Sequence, residues 1–183
     1  IVYGIGLIVT NATPLGGYVE QYTNVSNGKF LGINYLIWIA IIVAAITWFI
    51  FNMTRHGKYM YAIGGNPQAA EVAGVPVKAT LILIYMKAAA MYGLAGFMLG
   101  AKAGGASVQT GYGYEMEAIA ACTIGGVSVT GGRGKVSSAI IGVAVFELLK
   151  VALQYLGMNA NAQYIAIGIV IFIAISLDIR KYI

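Results

Sequence analysis

The stretch YAIGGNPQAAEVAGVPV, residues 61–77, is small, polar and rich in turn formers, and it lies between two long apolar runs. Its punctuation is specific. The pair Gly64–Gly65 suits a turn. Asn66 suits a helix N-cap, Pro67 the first helical position, and Gly74 the helix C-cap. Between them PQAAEVA is a good short helix, with Glu71 read as lying in its N-terminal half, where the helix dipole favours a carboxylate. A capped helix outside the membrane, between two spans, is therefore expected. A plain connector needs no such specification, whereas a rigid knob gripped by another protein does. The competing reading is a helix lying on the membrane surface, and the weak amphipathicity and low charge of the segment argue against it.

The flanking sequence supplies the membrane. Of 183 residues, 60% are hydrophobic and only 9% charged, against roughly 25% charged in an ordinary soluble domain. So few charges cannot cover a water-facing surface. Apolar runs cover residues 33–51, 79–100, 136–156 and 162–179, each near the ~18 residues of a spanning helix. Trp38 and Trp48 suit interfacial anchoring. The 25 glycines fit closely packed membrane helices. The fold class expected is all-α, a polytopic integral membrane protein.

The net charge of +5 does not point to nucleic acid, because the basic residues flank apolar runs and form no patch. A single cysteine, Cys122, excludes an internal disulfide framework and reads as a packed small residue. His56 is the sole histidine and has no ligand partners near it in sequence, so no metal site is expected. The opening IVYGIGLIVTN is apolar but too short to span and has no charged leader. It reads as the remainder of a hydrophobic segment in the C-terminal piece of a longer membrane protein.

Orientation follows from the basic residues of short loops. Arg55, Lys58, Lys78, Arg133, Lys135, Arg180 and Lys181 fall on one side, with only Lys29 and Lys102 on the other. Residues 61–77 are then cytoplasmic, and the polar stretches 12–32 and 101–114 are outside. Parity requires residues 115–132 to cross as well, which gives about five transmembrane segments. That crossing is glycine-broken: Gly125, Gly126, Gly131 and Gly132 interrupt it, with Ser128 and Thr130 between. Each such glycine weakens a helix by roughly 1 kcal/mol against Ala. Irregular backbone at membrane depth is tolerated where it is buried in protein or lines a wet cavity, as in the discontinuous helices of transporters. A structural kink and a pathway element are both open readings, and they are compatible.

Lys87, Glu147 and Lys150 fall inside spans, where charge is costly. Glu147 and Lys150 are three apart on one helix face and are expected to pair. Structural pairing and a place on the transport path are both open for the three residues. Glu115 and Glu117 sit at the outer mouth of the broken crossing, as helix caps or as partners for a solute. No Walker A loop is complete: Gly126 and Gly131 have its spacing, but Gly132 stands where Lys is required.

The segments AIGGNPQAAEVAGV (62–75) and YEMEAIAACTIGGVSVTGGRGKV (114–136) together resemble the permease subunits of ABC sugar importers of the ribose/xylose/galactose group, as do NMTRHGKYMYAIGGNP (52–67) and QYIAIGIVIFIAISLDIRKY (163–182). The resemblance covers essentially the whole chain and implies one transmembrane permease domain over 1–183. It implies that Asn66, Pro67, Ala69, Ala70, Glu71 and Gly74 belong to a cytoplasmic coupling helix, which docks on a separate ATPase subunit. On the broken-helix reading, residues 115–135 are the candidate path element, with Glu115, Glu117, Gly125, Gly126, Ser128, Gly131 and Gly132 as its candidate lining, beside the structural reading of the same residues. It further implies a homodimer in the bacterial cytoplasmic membrane, an extracytoplasmic sugar-binding protein, no cofactor and no covalent chemistry. The implied cargo is a monosaccharide, galactose or methyl-galactoside first and ribose or xylose next. Lys87 departs from the apolar or hydroxylic residues of the group. An ion-coupled secondary sugar transporter or channel would also use the broken helix, but gives no reason for a docking helix.

Overall fold

The computed structural model describes residues 2–180; Ile1 and Lys181, the latter counted on the inner side, lie outside the described residues. The order is α1 (Val2–Thr10), β1 (Leu15–Gly16), α2 (Glu20–Asn27), β2 (Lys29–Phe30), β3 (Ile33–Asn34), α3 (Tyr35–Met53), α4 (Arg55–Gly65), α5 (Pro67–Val72), α6 (Val77–Ala103), β4 (Gly105–Ala106), α7 (Tyr114–Ile124), α8 (Val136–Tyr155) and α9 (Ala160–Arg180). The chain is mostly helical, as its composition requires. The strands are two-residue antiparallel pairs, β1 with β4 and β2 with β3.

Among the described residues, α3, α6 and α8 are long and apolar enough to cross a membrane. The 27 residues of α6 rise about 40 Å, more than a bilayer core of about 30 Å needs. These helices expose Ile41, Ile42, Ile82, Tyr85, Ile141 and Leu148. A helix apolar on all sides is stable when its outer face meets lipid.

Several local readings are corrected. The basic cluster at 55–58 forms the start of α4. Thr54 caps α4, its Oγ1 accepting from the Gly57 amide at 3.2 Å. Buried Gly57 lets the first turn of α4 sit on the carbonyls of Ile50 and Phe51, a place no Cβ could share. Residues 61–65 are the last turns of that helix, so Gly64–Gly65 is helical and not a turn. The polar stretch 12–32 contains α2 and two strands. α3 starts two residues later than the apolar run, because Ile33 and Asn34 pair with β2 and Asn34 Oδ1 accepts from the Leu36 amide at 2.8 Å.

The chain divides into two compact units. The first holds Ile1–Ala45 and Ile82–Tyr112. Within it Tyr22 donates to the Phe97 carbonyl at 2.7 Å, with its ring edge-on to that of Phe97. Trp38 donates to the Phe30 carbonyl at 3.3 Å. The second unit holds Ile46–Leu81 and Gly113–Ile183. Its core is Ala120 and Ala121 of α7, Phe146 of α8 and Ile167 of α9, with Ile124 and Ile171 against them. Gly142 of α8 lets α7 approach closely: a Cβ there would fall on the Ala121 carbonyl and 2.7 Å from the Gly125 nitrogen.

Candidate functional site

The capped helix is present where its punctuation put it. Asn66 Oδ1 accepts from the Ala69 amide at 2.9 Å, and Pro67 occupies the first turn, where its missing N–H costs nothing. Gly74 follows the Ala73 cap with φ +81°, a conformation that favours glycine. The Val75 amide donates to the Ala70 carbonyl and the Gly74 amide to the Glu71 carbonyl, both at 3.0 Å. These two bonds are the Schellman closure of a helix end.

Asn66, Pro67, Ala69, Glu71 and Gly74 are exposed, as is Val72 at 91%. Ala70 points the other way and is buried, 4% exposed. Glu71 lies in the last turn of the helix and not in its N-terminal half. The dipole therefore gives its carboxylate no support there, and the Asn66 side chain does the N-terminal capping.

Asn66 ends α4 as well as starting α5, its amide donating to the Ala62 carbonyl at 3.0 Å. The end of α4 reaches the glycine-rich loop that follows α7. Tyr61 donates from its hydroxyl to the Gly134 carbonyl at 2.8 Å. Three residues on, Gly64 meets Gly131 and Gly132 backbone to backbone, so closely that a Cβ on Gly64 would fall on the Gly132 nitrogen. A Cβ on Gly132 would lie 2.6 Å from the Gly65 nitrogen. Gly131 and Gly132 have φ of +96° and +70°, so conformation and space both call for glycine.

The glycine-rich segment itself is a helix and a folded turn. The 11 residues of α7 rise only about 16 Å. The helix closes with the Val127 amide on the Cys122 carbonyl and the Gly126 amide on the Thr123 carbonyl, both at 2.9 Å, and Gly126 takes φ +82°. Beyond it the Ser128 amide donates to the Arg133 carbonyl at 3.0 Å. The Ser128 and Thr130 hydroxyls share a hydrogen bond of 2.8 Å. Ser128 is buried, whereas Gly131 and Gly132 are half-buried.

The charged residues sort differently from their sequence spacing. Lys150 Nζ lies 2.8 Å from Glu117 Oε2 on α7 and 3.5 Å from Glu147 Oε1 on its own helix. The expected Glu147–Lys150 pair exists, but the shorter bond joins α8 to α7. Glu147 remains 58% exposed at its side chain. Glu115 is exposed at the α7 N-terminus and Glu117 is half-buried in the ion pair. Lys87 belongs to the other unit, is half-buried, and forms no ion pair among the described residues. In that unit Tyr112 lines a cleft of about 450 Å³ with Tyr3, Thr10, Ser107 and Thr110.

Sequence reasoning missed Tyr61, Gly64 and Gly65 as a contact surface. The signal was present as a glycine doublet in each partner segment, but local propensity reads both doublets as turns.

Three helices long and apolar enough to cross a membrane mark a membrane protein, and an exposed, doubly capped helix lies between two of them. The chain matches over residues 2–175 the family described as branched-chain amino acid transport system / permease component, and it belongs to that family. It is 39% identical over 189 residues to the galactose/methyl galactoside import permease of Haemophilus influenzae, covering 100% of this chain and 56% of the relative. The permease of that name from Escherichia coli is also 39% identical over 189 residues, with the same coverage. The ribose import permease of Bacillus subtilis is 36% identical over 180 residues, 97% of this chain and 56% of the relative. The chain spans about half the length of these relatives. No solved structure matches it. The chain is thus a multi-pass permease component of the bacterial cytoplasmic membrane.

Proposed function

We propose that this chain forms part of the permease subunit of a binding-protein-dependent ABC importer that carries a monosaccharide inward. The observation that carries the reading is the identity of 39% to galactose/methyl galactoside import permeases along the entire chain. It favours a sugar over the amino acids in the family's description, and the similarity to the ribose permease of Bacillus subtilis supports the same choice. Galactose or a methyl galactoside is the first choice, with ribose or xylose next. The relatives do not favour an ion-coupled secondary transporter.

In this reading the chain makes five crossings: α3, α6, α7 with its following turn, α8 and α9. α5 is the cytoplasmic coupling helix. Asn66, Pro67, Ala69, Glu71 and Gly74 present its outer face to a separate ATPase subunit, and Glu71 meets a basic residue there. Ala70 holds the helix against α4. Two permease copies form the membrane unit, and an extracytoplasmic binding protein delivers the sugar to their outer mouth. Glu115, Ser128 and the glycines of 125–132 line the path. Glu117 braces it by pairing with Lys150. The chain itself holds no nucleotide, and ATP closure of the ATPase moves α5.

Affinity purification of the full-length parent tests this reading. It should retain a soluble ATPase, and should lose it when Glu71 is replaced by Lys. A parent that purifies alone and transports sugar without such a subunit contradicts it.

A further inference from the structure

A displacement of α5 must reach the broken crossing through something stiff. Side chains rotate and yield, whereas backbone packed on backbone does not. α4 and α5 share Asn66 as their only linking residue, and Ile63 of α4 and Ala70 of α5 are both buried beside that link. The two helices are therefore tied at the hinge. The last turn of α4 presents Tyr61, Gly64 and Gly65 on one face, since residues three and four apart are neighbours on a helix. That face meets residues 131–134 twice, by the glycine-on-glycine approach and by the Tyr61–Gly134 hydrogen bond of 2.8 Å. Residues 131–134 in turn belong to the loop closed by the Ser128 amide on the Arg133 carbonyl, directly between α7 and α8.

We infer that the backbone contact of Gly64 with Gly131 and Gly132, latched by Tyr61 on the Gly134 carbonyl, passes movement of α5 to the glycine-broken crossing. The inference rests on the importer reading and names the part of this chain that links its two ends. Gly131 and Gly132 then have a mechanical role as well as a conformational one. Their missing side chains let the loop follow α4 without slack.

The geometry supplies its own control. A Cβ on Gly64 collides with the Gly132 backbone, whereas a Cβ on Gly65 meets nothing within 4 Å. Gly64→Ala and Gly65→Ala change helix propensity alike, and only the first spreads the contact. The full-length parent, its ATPase and its binding protein are reconstituted in lipid vesicles. ATP hydrolysis and labelled galactose uptake are read in the same vesicles. Gly64→Ala should keep its ATPase and continue to hydrolyse ATP, while sugar moved per ATP falls by about fivefold or more. Tyr61→Phe should lower the ratio in the same direction, and Gly65→Ala should leave it unchanged. An unchanged ratio in Gly64→Ala overturns the inference, as does an equal loss in Gly65→Ala. Should Gly64→Ala fail to fold, Tyr61→Phe decides, and an unchanged ratio there overturns it. Absence of ATP-dependent uptake in the unaltered complex overturns the importer reading and the inference with it.

Discussion

Lys150 on α8 reaches across to Glu117 on α7, Nζ to Oε2 at 2.8 Å, while Glu147 one turn away stands at 3.5 Å. The nearer partner is 33 residues distant in sequence, and both groups are about four-fifths covered at their side chains. This is an interhelical bond between elements that already share Ala120, Ala121 and Phe146 in one core.

Removing Lys150 should therefore hurt more than removing Glu147. Lys150→Met leaves the Glu117 carboxylate half-buried without its cation, a loss of about 2 kcal/mol once partial exposure is allowed for. Glu147→Gln should cost about 0.5 kcal/mol or less, because that carboxylate is exposed. Thermal unfolding in detergent separates the two. Adding Glu117→Gln to Lys150→Met should recover part of the loss, as expected when the damage is an orphaned charge. Equal effects of Lys150→Met and Glu147→Gln would show that the interhelical bond is not the stronger one.

The N-cap of α5 should be measurable on its own. Asn66→Ala removes the acceptor for the Ala69 amide and should cost about 1 kcal/mol, whereas Asn66→Asp should keep most of it. Hydrogen exchange at the amides of residues 68–72 should accelerate in the Ala variant and change little in the Asp variant. Equal exchange in both would mean that packing of Ala70, and not the cap, holds the helix.

Two glycines within helices should respond in opposite senses. Gly142→Ala drives a Cβ into the Ala121 carbonyl, which should cost about 3 kcal/mol through overpacking. Gly168→Ala in α9 meets nothing within 4 Å and should stabilise the helix by about 0.5–1 kcal/mol. The melting temperatures should move apart. A harmless Gly142→Ala would contradict the close approach of α7 and α8.

Glu71→Lys is a clean probe of the outer face of α5. The residue is exposed in the last helical turn, where a cation favours the helix by about 0.3–1 kcal/mol. The protein should insert and melt as before, and transport should fail. Normal uptake by this variant would remove α5 from the coupling role.

Much of this was legible because it rests on local chemistry. Asn66, Pro67 and Gly74 act within one turn of themselves, so their roles follow from spacing alone. The apolar runs behind α3 and α8 likewise declare themselves by composition. The Gly125–Gly126 doublet lies where α7 closes, with Gly126 at φ +82°. Gly64–Gly65 was misread because an isolated glycine pair favours a turn, and only the distant Gly131–Gly132 explains why it lies in a helix. Glu71 was placed too early: it is the fifth of the six residues of α5, and the N-terminal capping is done by the Asn66 side chain. The partner of Lys150 depends on how α7 and α8 align, which no spacing within α8 encodes. α2 and the paired strands of the polar segments are short and held by contacts distant in sequence, such as Tyr22 on the Phe97 carbonyl.

The central claim is that ATP, consumed by a separate subunit, drives sugar through this permease. Labelled galactose uptake by cells carrying the full-length parent and its binding protein tests it most directly, with the ATPase partner either intact or altered at its P-loop lysine. The account predicts that uptake collapses with the altered ATPase and that unlabelled ribose competes weakly. Uptake that persists with the altered ATPase and follows an ion gradient would contradict it.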